Sequence, residues 1–416
     1  MILNQTDAIY AANIFDEFFG SFNRIDEYQR SIKMDRMKTF PASLPGMGPE
    51  TDVFDDFNIH PNDMEFSIFE CRQDQFMTYM EITTSAPVES SIPGKQLLYM
   101  VKEKNTGQIF GMIRFGSPTI NSRPRNEWLG APLDTMSPDV MHRFNKSAIM
   151  GFNIVPVQPA GYNYLAGKLL ASICCSHQVR RALNKKYDAN ICLFETTSLY
   201  GSTKSSSMYD GMRPFLRHNG LTDSNFAPLI NDEKFRSLND WFKQRNEGDY
   251  LVPADASSRK LKTQTKMASI IKASLKGVDD NAYKKFCQTF VDAKGLTERK
   301  RSYYSTYGHE AQSVKDYMNL KTDEIKPAEN FDRFEVENVI EWWRNKASKR
   351  YETLKSEGRL RTTVETWNTN PEDYANYLCS HLDDNQETFI AIQKEMNDKS
   401  TNATIRQATG GSGIHI

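Results

Sequence analysis

Between Ile149 and Leu221 a strand-like run, a glycine-containing turn, an amphipathic helix, a second apolar strand and a tyrosine-bearing segment follow one another. The turn reads Gln158-Pro159-Ala160-Gly161-Tyr162-Asn163. Backbone N–H groups at a helix start are aligned donors for a phosphate. A glycine there lets the main chain approach without a Cβ in the way. The run ahead of the turn, with Val155 and Val157, can offer backbone amides to an extended pantetheine arm. This order meets the needs of a pyrophosphate-bearing cofactor and points to acyl-group transfer, with acetyl-CoA or a related acyl-CoA as donor.

Glu195 closes the second apolar strand among apolar and hydroxyl residues. Desolvation there raises a carboxyl pKa and suits it to accept a proton from an attacking amine. The alternative is a structural acid paired with an arginine such as Arg213 or Arg217. The polar loop Tyr200 to Ser207 has the composition of a phosphate cradle but not the Walker pattern. His142, His177 and His218 have no Cys or Ser at a recognisable spacing and read as surface or core residues. The six cysteines form no C-x-x-C pair, so no metal site is expected and the thiols read as reduced.

Charge is unevenly spread although the formal net charge is -1. Residues 1–110 hold 17 acids against 9 bases, whereas 111–230 hold 7 against 13 and 259–301 hold 4 against 12. That distribution suits a protein with one face toward a polyanion; solvated helix faces balancing an acidic front are the alternative. Arg114, Arg123, Arg125 and Trp128 interleave charge with an aromatic, as phosphate contact plus base stacking requires, though an ordinary surface cluster explains them as well. Arg259, Lys260, Lys262 and Lys266 open the second basic block.

Of the 416 residues, 39% are hydrophobic and 25% charged, as in ordinary globular proteins. No apolar run approaches the roughly 18 to 20 residues of a membrane span, and the N-terminus lacks a signal-peptide layout. A cytoplasmic protein is expected. Residues 1–45 read as a helical arm, 75–245 as an α/β domain, 255–396 as a helical basic domain and 397–416 as a disordered tail. Leu97–Val101 and Ile109–Phe115 form a predicted hairpin through Lys104-Asn105-Thr106-Gly107. A helix of about 20 residues is expected from Leu165. Val336, Val339, Ile340, Trp343, Ala347, Tyr351 and Leu354 make one helical apolar stripe, read as core.

The turn Gln158-x-x-Gly161-x-Asn163 resembles the GNAT acyltransferase pattern Q/R-x-x-G-x-G/A, with Asn163 replacing the final small residue. A closer resemblance, over about Leu97 to Asp223, is to the DruA family of bacterial anti-phage systems. It is carried by Phe115-Gly116-Ser117-Pro118, Arg125-Asn126-Glu127-Trp128-Leu129-Gly130, Asn145 through Pro156, Leu193-Phe194-Glu195-Thr196 and Ser207-Met208-Tyr209 leading to Gly220. The hairpin and the Tyr-to-Gly segment also look like the Mom-like DNA-modifying proteins of the GNAT group.

These resemblances imply a mixed α/β, GNAT-like central domain with a splayed sheet. They also imply a transferase acting on nucleic acid, modifying DNA bases in phage or anti-phage biology, with partner proteins of such a system. Tyr209, fourteen residues after Glu195, is implied as the group that protonates a departing thiolate. Its ordinary pKa near 10 lies above that of a thiol near 8.5, and aromatic core packing is its alternative role. The rival function is a noncatalytic nucleic-acid-binding protein that keeps the fold. Asn163 favours the rival; Glu195 and Tyr209 favour the enzyme.

Overall fold

The computed structural model describes residues 1–37, 52–84, 94–198, 206–223, 228–256, 259–296 and 299–364, together with the backbone of 414–415. Two compact units emerge: Met1–Phe40 with Ser85–Ser91 and Ser224–Arg299, and Pro41–Thr84 with Ile92–Asp223 and Lys300–Ile416. The linear order of arm, α/β domain and basic domain is thereby redrawn. The N-terminal arm joins the basic helices, and residues 300–364 join the sheet.

The helical unit contains α1 (Gln5–Gly20), α2 (Ile25–Met37), α9 (Asp232–Arg245), α10 (Arg259–Leu275) and α11 (Asp280–Gly295). Asn4 caps α1 by accepting from the Asp7 N–H, and Asp279 caps α11 through Ala282. Phe15 and Phe19 of α1 meet Phe290 of α11 with ring centroids 5.5 and 5.7 Å apart. Aromatic burial of this kind carries most of the stability of a small helical core. Tyr28 of α2 donates to the Leu229 carbonyl (2.7 Å) and accepts from the Leu229 N–H (2.8 Å), which ties the chain ahead of α9 to α2.

The second unit is built on a sheet of β1 (Phe66–Glu70), β2 (Gln96–Glu103), β3 (Ile109–Gly116), β4 (Ala148–Pro156), β5 (Leu193–Ser198), β6 (Arg217–Leu221) and β7 (Arg301–Ser305). Their order is β6-β7-β5-β4-β3-β2-β1, and Ile414–His415 pairs at the β1 edge. The rest of the tail expected to be disordered lies outside the described residues. All pairings are antiparallel except β4 with β5. The architecture is therefore mixed α/β with a mostly antiparallel sheet. The predicted hairpin is present as β2 and β3, turning at Gly107 with φ 71°. β7 lies where only helix was expected; a five-residue strand among lysine-rich helices leaves too short an alternation to read.

A parallel pair requires a crossover. Here it runs through α6 (Ala160–Tyr164), α7 (Ala166–Cys174) and α8 (His177–Tyr187). The single helix expected is broken twice. Leu165 takes a left-handed φ of 54°, and the Ser176 hydroxyl accepts from the Val179 N–H to start α8. α7 buries Leu169, Leu170 and Ile173 against the sheet.

α13 (Val336–Ser356) covers that crossover, and every member of its predicted apolar stripe is buried. The Trp343 indole donates to the Tyr164 carbonyl (2.9 Å), and Tyr351 stacks on Tyr164 with centroids 5.3 Å apart. Tyr164 in turn donates to the Ile59 carbonyl (3.1 Å). Truncating a buried indole costs about 3–5 kcal/mol. Trp343→Ala should destabilise the sheet unit by that amount in urea denaturation. Unfolding of the sheet unit at the wild-type midpoint would show that α13 belongs to a separate body.

Candidate functional site

β4 and β5 pair only from Ala148 to Gly151 and from Leu193 to Thr196. The Thr196 hydroxyl closes the junction by donating to the Gly151 carbonyl (2.9 Å). Phe152 has no register partner on β3, a bulge that bends β4 as it leaves β5. Gly151 is required here, because a Cβ would lie 2.9 Å from the Phe194 ring. Beyond this point the β4 backbone has no strand on its β5 side among the described residues. Val157 donates to the Phe110 carbonyl (3.1 Å), so its N–H is turned toward β3. Alternation in the ladder gives Val155 the same direction and turns Ile154 toward the opened side.

In the Gln158–Asn163 turn three backbone donors are engaged within the turn itself. Gly161 donates to Val157, and Tyr162 and Asn163 both donate to Pro159, at 2.8–2.9 Å. α6 spans five residues, so these amides close the turn itself. Gly161 serves the turn: a Cβ there would lie 2.5 Å from the Gln158 side-chain amide. Asn163 is buried, donating to the Arg361 carbonyl (2.7 Å) and accepting from the Arg361 N–H (3.1 Å). It acts as a two-sided clamp on the segment after α13. Tyr162 gathers arginines from that region. Arg361 stands 4.0 Å and Arg350 4.7 Å from its ring centroid, and Arg359 Nη2 lies 3.4 Å from its hydroxyl.

Glu195 is 5% exposed and accepts from Arg125 Nη1 at 2.7 Å; Arg125 is 1% exposed. The pair joins β5 to α4 (Arg123–Leu129). Burial pushes the Glu195 carboxyl up, and the Arg125 guanidinium opposes that shift. Arg125 also donates to the Thr119 and Ile120 carbonyls and lies 4.6 Å over the Phe144 ring. The structural partner of Glu195 is thus Arg125 rather than Arg213 or Arg217.

The predicted arginine and tryptophan surface is consequently dispersed. Arg114 is fully buried on β3, and Arg125 is committed to Glu195. Arg123 remains on the surface, paired with Glu127 (2.7 Å) and Asp223 (3.2 Å). Trp128 is half-buried between Tyr304, 4.8 Å away, and Lys315, 5.2 Å from its ring.

Side chains directly paired across strands share a face, and neighbours along a strand alternate. Glu195, Tyr304 and Arg217 therefore form one row, and Thr196, Tyr303 and His218 another on the opposite face. Tyr209 belongs to the second row. It packs 5.2 Å from Tyr303. Burial pushes its phenol well above the ordinary value, with Thr196 opposing. The two residues expected to share one proton path are thus separated by the sheet.

Tyr209 has neighbours that the sequence did not reveal. Asp210 accepts from the Tyr303 hydroxyl (2.9 Å) and from Arg301 Nη1 (3.2 Å). The His218 ring lies 5.5 Å from Tyr303, and Lys168 donates to the Met208 carbonyl (2.9 Å). Strand pairing assembles this group, and its only sequence signal is the aromatic pair Tyr303-Tyr304. The polar loop is outside the described residues over 199–205.

The basic block of the helical unit shows cations on aromatic rings. Lys243 and Arg259 lie 4.4 and 4.8 Å from the Tyr250 ring, which is 40% exposed. Lys262 is exposed, Lys260 pairs with Asp232 (2.5 Å), and Lys266 donates to the Leu251 carbonyl (2.8 Å). Among the described residues no three His, Cys, Asp or Glu side chains gather as a metal site, and no helix is long and apolar enough to cross a membrane.

A cleft of about 190 Å³ is lined by Arg217, Tyr304, His309, Glu310 and Asn330, among others. His309 Nδ1 lies 2.7 Å from the Thr306 carbonyl and must carry the proton, which leaves Nε2 as an acceptor 3.5 Å from Arg180 Nη1. Burial lowers its pKa from 6.5 to about 4. His177, buried and lowered in the same sense, bonds at 2.9 Å to the Phe331 carbonyl.

The second unit is a mixed α/β domain organised around one parallel strand pair. Its residues 55–207 match the family model described as Druantia protein DruA. The resemblance read from the sequence is borne out there and extends to residue 55. The matched segment includes Glu195 and the Gln158–Asn163 turn; Tyr209, Arg301, Tyr303 and the arginines of residues 350–361 lie beyond it. No curated protein and no solved structure matches the chain.

A histidine with a depressed folded pKa stabilises fully above its unfolded value and loses that contribution as pH falls through its folded one. Stability should therefore decline between pH 6.5 and about 4, with His309 contributing about 3 kcal/mol. Chemical denaturation across this range should show a flatter profile for His309→Gln. An unchanged slope would remove His309 from the pH response.

Proposed function

We propose that the sheet unit is a GNAT-like acyl-type transferase domain that modifies nucleic acid, with DNA bases as acceptor, in anti-phage defence. The observation that carries this reading is the parallel β4–β5 pair that stops after four residues and then diverges. An edge opened in this way accepts an extended arm by backbone pairing, as a free strand edge does. Ile154 is the β4 residue whose amide faces that side. A bound acyl-coenzyme A supplies the activated acyl group. Tyr209, kept protonated by burial, stands as the proton donor beside Tyr303, the thiolate supplying the driving force against the raised pKa. Asp210 orients Tyr303 behind it. Glu195 positions α4 through Arg125.

The noncatalytic reading is favoured by the same ion pair, since it commits the Glu195 carboxylate to holding Arg125 and α4. Nucleic-acid contact on either reading draws on the helical unit, where Lys243, Tyr250, Arg259 and Lys262 combine charge with an exposed ring. The Mom-like resemblance supports DNA as the acceptor.

Digested DNA from cells expressing the protein should contain a new nucleoside mass. Tyr209→Phe should lower its yield about 10²- to 10⁴-fold without loss of fold. Glu195→Gln, by contrast, should destabilise the protein, because removing one partner of a buried pair costs about 3–5 kcal/mol. A new nucleoside at undiminished yield from the Tyr209 variant would place the chemistry elsewhere. DNA binding without any new nucleoside would favour the noncatalytic reading.

Binding to duplex DNA should weaken steeply with salt, because each neutralised phosphate contributes a slope of about 0.9 in log K against log salt. Reversing charge at Lys243, Arg259 and Lys262 should flatten that slope by about two to three units. A slope equal to that of wild type would exclude this surface.

A further inference from the structure

β7 ends at Ser305 beside Phe194, at the end of β5 away from the point where β4 departs, and the cleft of about 190 Å³ opens there. It holds the volume of about six waters, at about 30 Å³ each. Its walls are fixed by backbone. The Ala328 N–H donates to the Gly308 carbonyl and the Glu310 N–H to the Lys326 carbonyl, both at 2.9 Å. Tyr307 and Gly308 take left-handed φ values of 53° and 79°, and a Cβ on Gly308 would lie 2.7 Å from the Phe334 ring. A tyrosine in that region is strained, and the bonds around it hold it there.

This fixed cleft is lined by polar side chains without protein partners. Among the described residues Arg217 and Glu310 make no ion pair, with each other or with another group, and the Tyr304 hydroxyl and Asn330 amide make no hydrogen bond. His309 adds no charge at neutral pH, because burial lowers its pKa to about 4. The lining thus carries one cation and one anion, both unpaired. Glu310 repels a phosphate, and Arg217 repels a metal ion; a ligand bearing both charges satisfies both. We propose that the cleft binds a free α-amino acid with an apolar side chain. Arg217 takes the carboxylate in paired N–H···O contacts, Glu310 accepts from the ammonium group, and the rings of Tyr304 and Phe334 flank the side chain. The site is separate from the β4–β5 opening and stands whether or not the domain transfers an acyl group.

Isothermal titration of the full chain with L-phenylalanine and L-leucine tests this, alongside phenylalaninamide, which lacks the carboxylate, N-acetylphenylalanine, which lacks the ammonium, and adenosine monophosphate. Both amino acids should bind, and each blocked analogue should bind at least about tenfold more weakly than phenylalanine. Arg217→Gln should weaken phenylalanine at least about tenfold and leave phenylalaninamide unchanged. Glu310→Gln should weaken phenylalanine by a similar factor and leave N-acetylphenylalanine unchanged. A purely structural effect would weaken every probe alike. The melting temperature of each variant should stay within about 2 °C of wild type, because both side chains are exposed. If neither amino acid binds at about 10 mM, or if either variant binds phenylalanine as wild type does, the inference is overturned. Tighter binding of adenosine monophosphate than of either amino acid would overturn it in favour of a nucleotide.

Discussion

The short parallel contact between β4 and β5 is the constraint on which the sheet unit depends. Two parallel strands cannot be joined by a tight turn, so the chain must leave the sheet, cross one face and return. That crossover supplies α6, α7 and α8, and α13 buries its tryptophan and tyrosines against it. The other face is closed by α4 with α5 (Pro138–Ser147) and α12 (Ala311–Met318), where Leu129, Phe144, Leu193 and Val314 share one cluster. Divergence after four paired residues then leaves a backbone edge between two finished layers. The opening is a product of strand geometry, and the side chains around it come from segments distant in the chain.

That distance decides what was legible in the sequence. The hairpin, β4, β5 and the α13 stripe were readable because their signals are local: alternation over a strand, spacing over a helix, a glycine at a turn. The role of Glu195 was readable only as a choice between base and ion pair. Its partner Arg125 sits seventy residues earlier and carries no mark distinguishing it from Arg123. Arg114 and Arg125 resembled a surface patch because composition does not report that one lies on a buried strand and the other under a ring. β7 was hidden by length, and with it went the knowledge that Tyr303 and Tyr304 face opposite sides.

Asn163 illustrates how a motif can be matched and still misread. At a position suited to a small residue, its amide imitates a strand edge, donating and accepting with Arg361 as a neighbouring strand would. The departure from the pattern looked like crowding of a phosphate. It is instead the attachment point for a segment nearly two hundred residues downstream. The glycine in the same motif is required for a local reason, the folded-back Gln158 amide, and so speaks to turn shape rather than to a ligand.

The helical unit draws on both ends of a long excursion, since Phe15 and Phe19 are covered by Phe290. During synthesis the N-terminal helices emerge first and wait with their aromatic faces uncovered while the whole segment 55–207 is translated. Only when α11 leaves the ribosome is that core complete. The nascent chain therefore passes through a stage in which Phe15 and Phe19 lack the ring of Phe290 that later covers them.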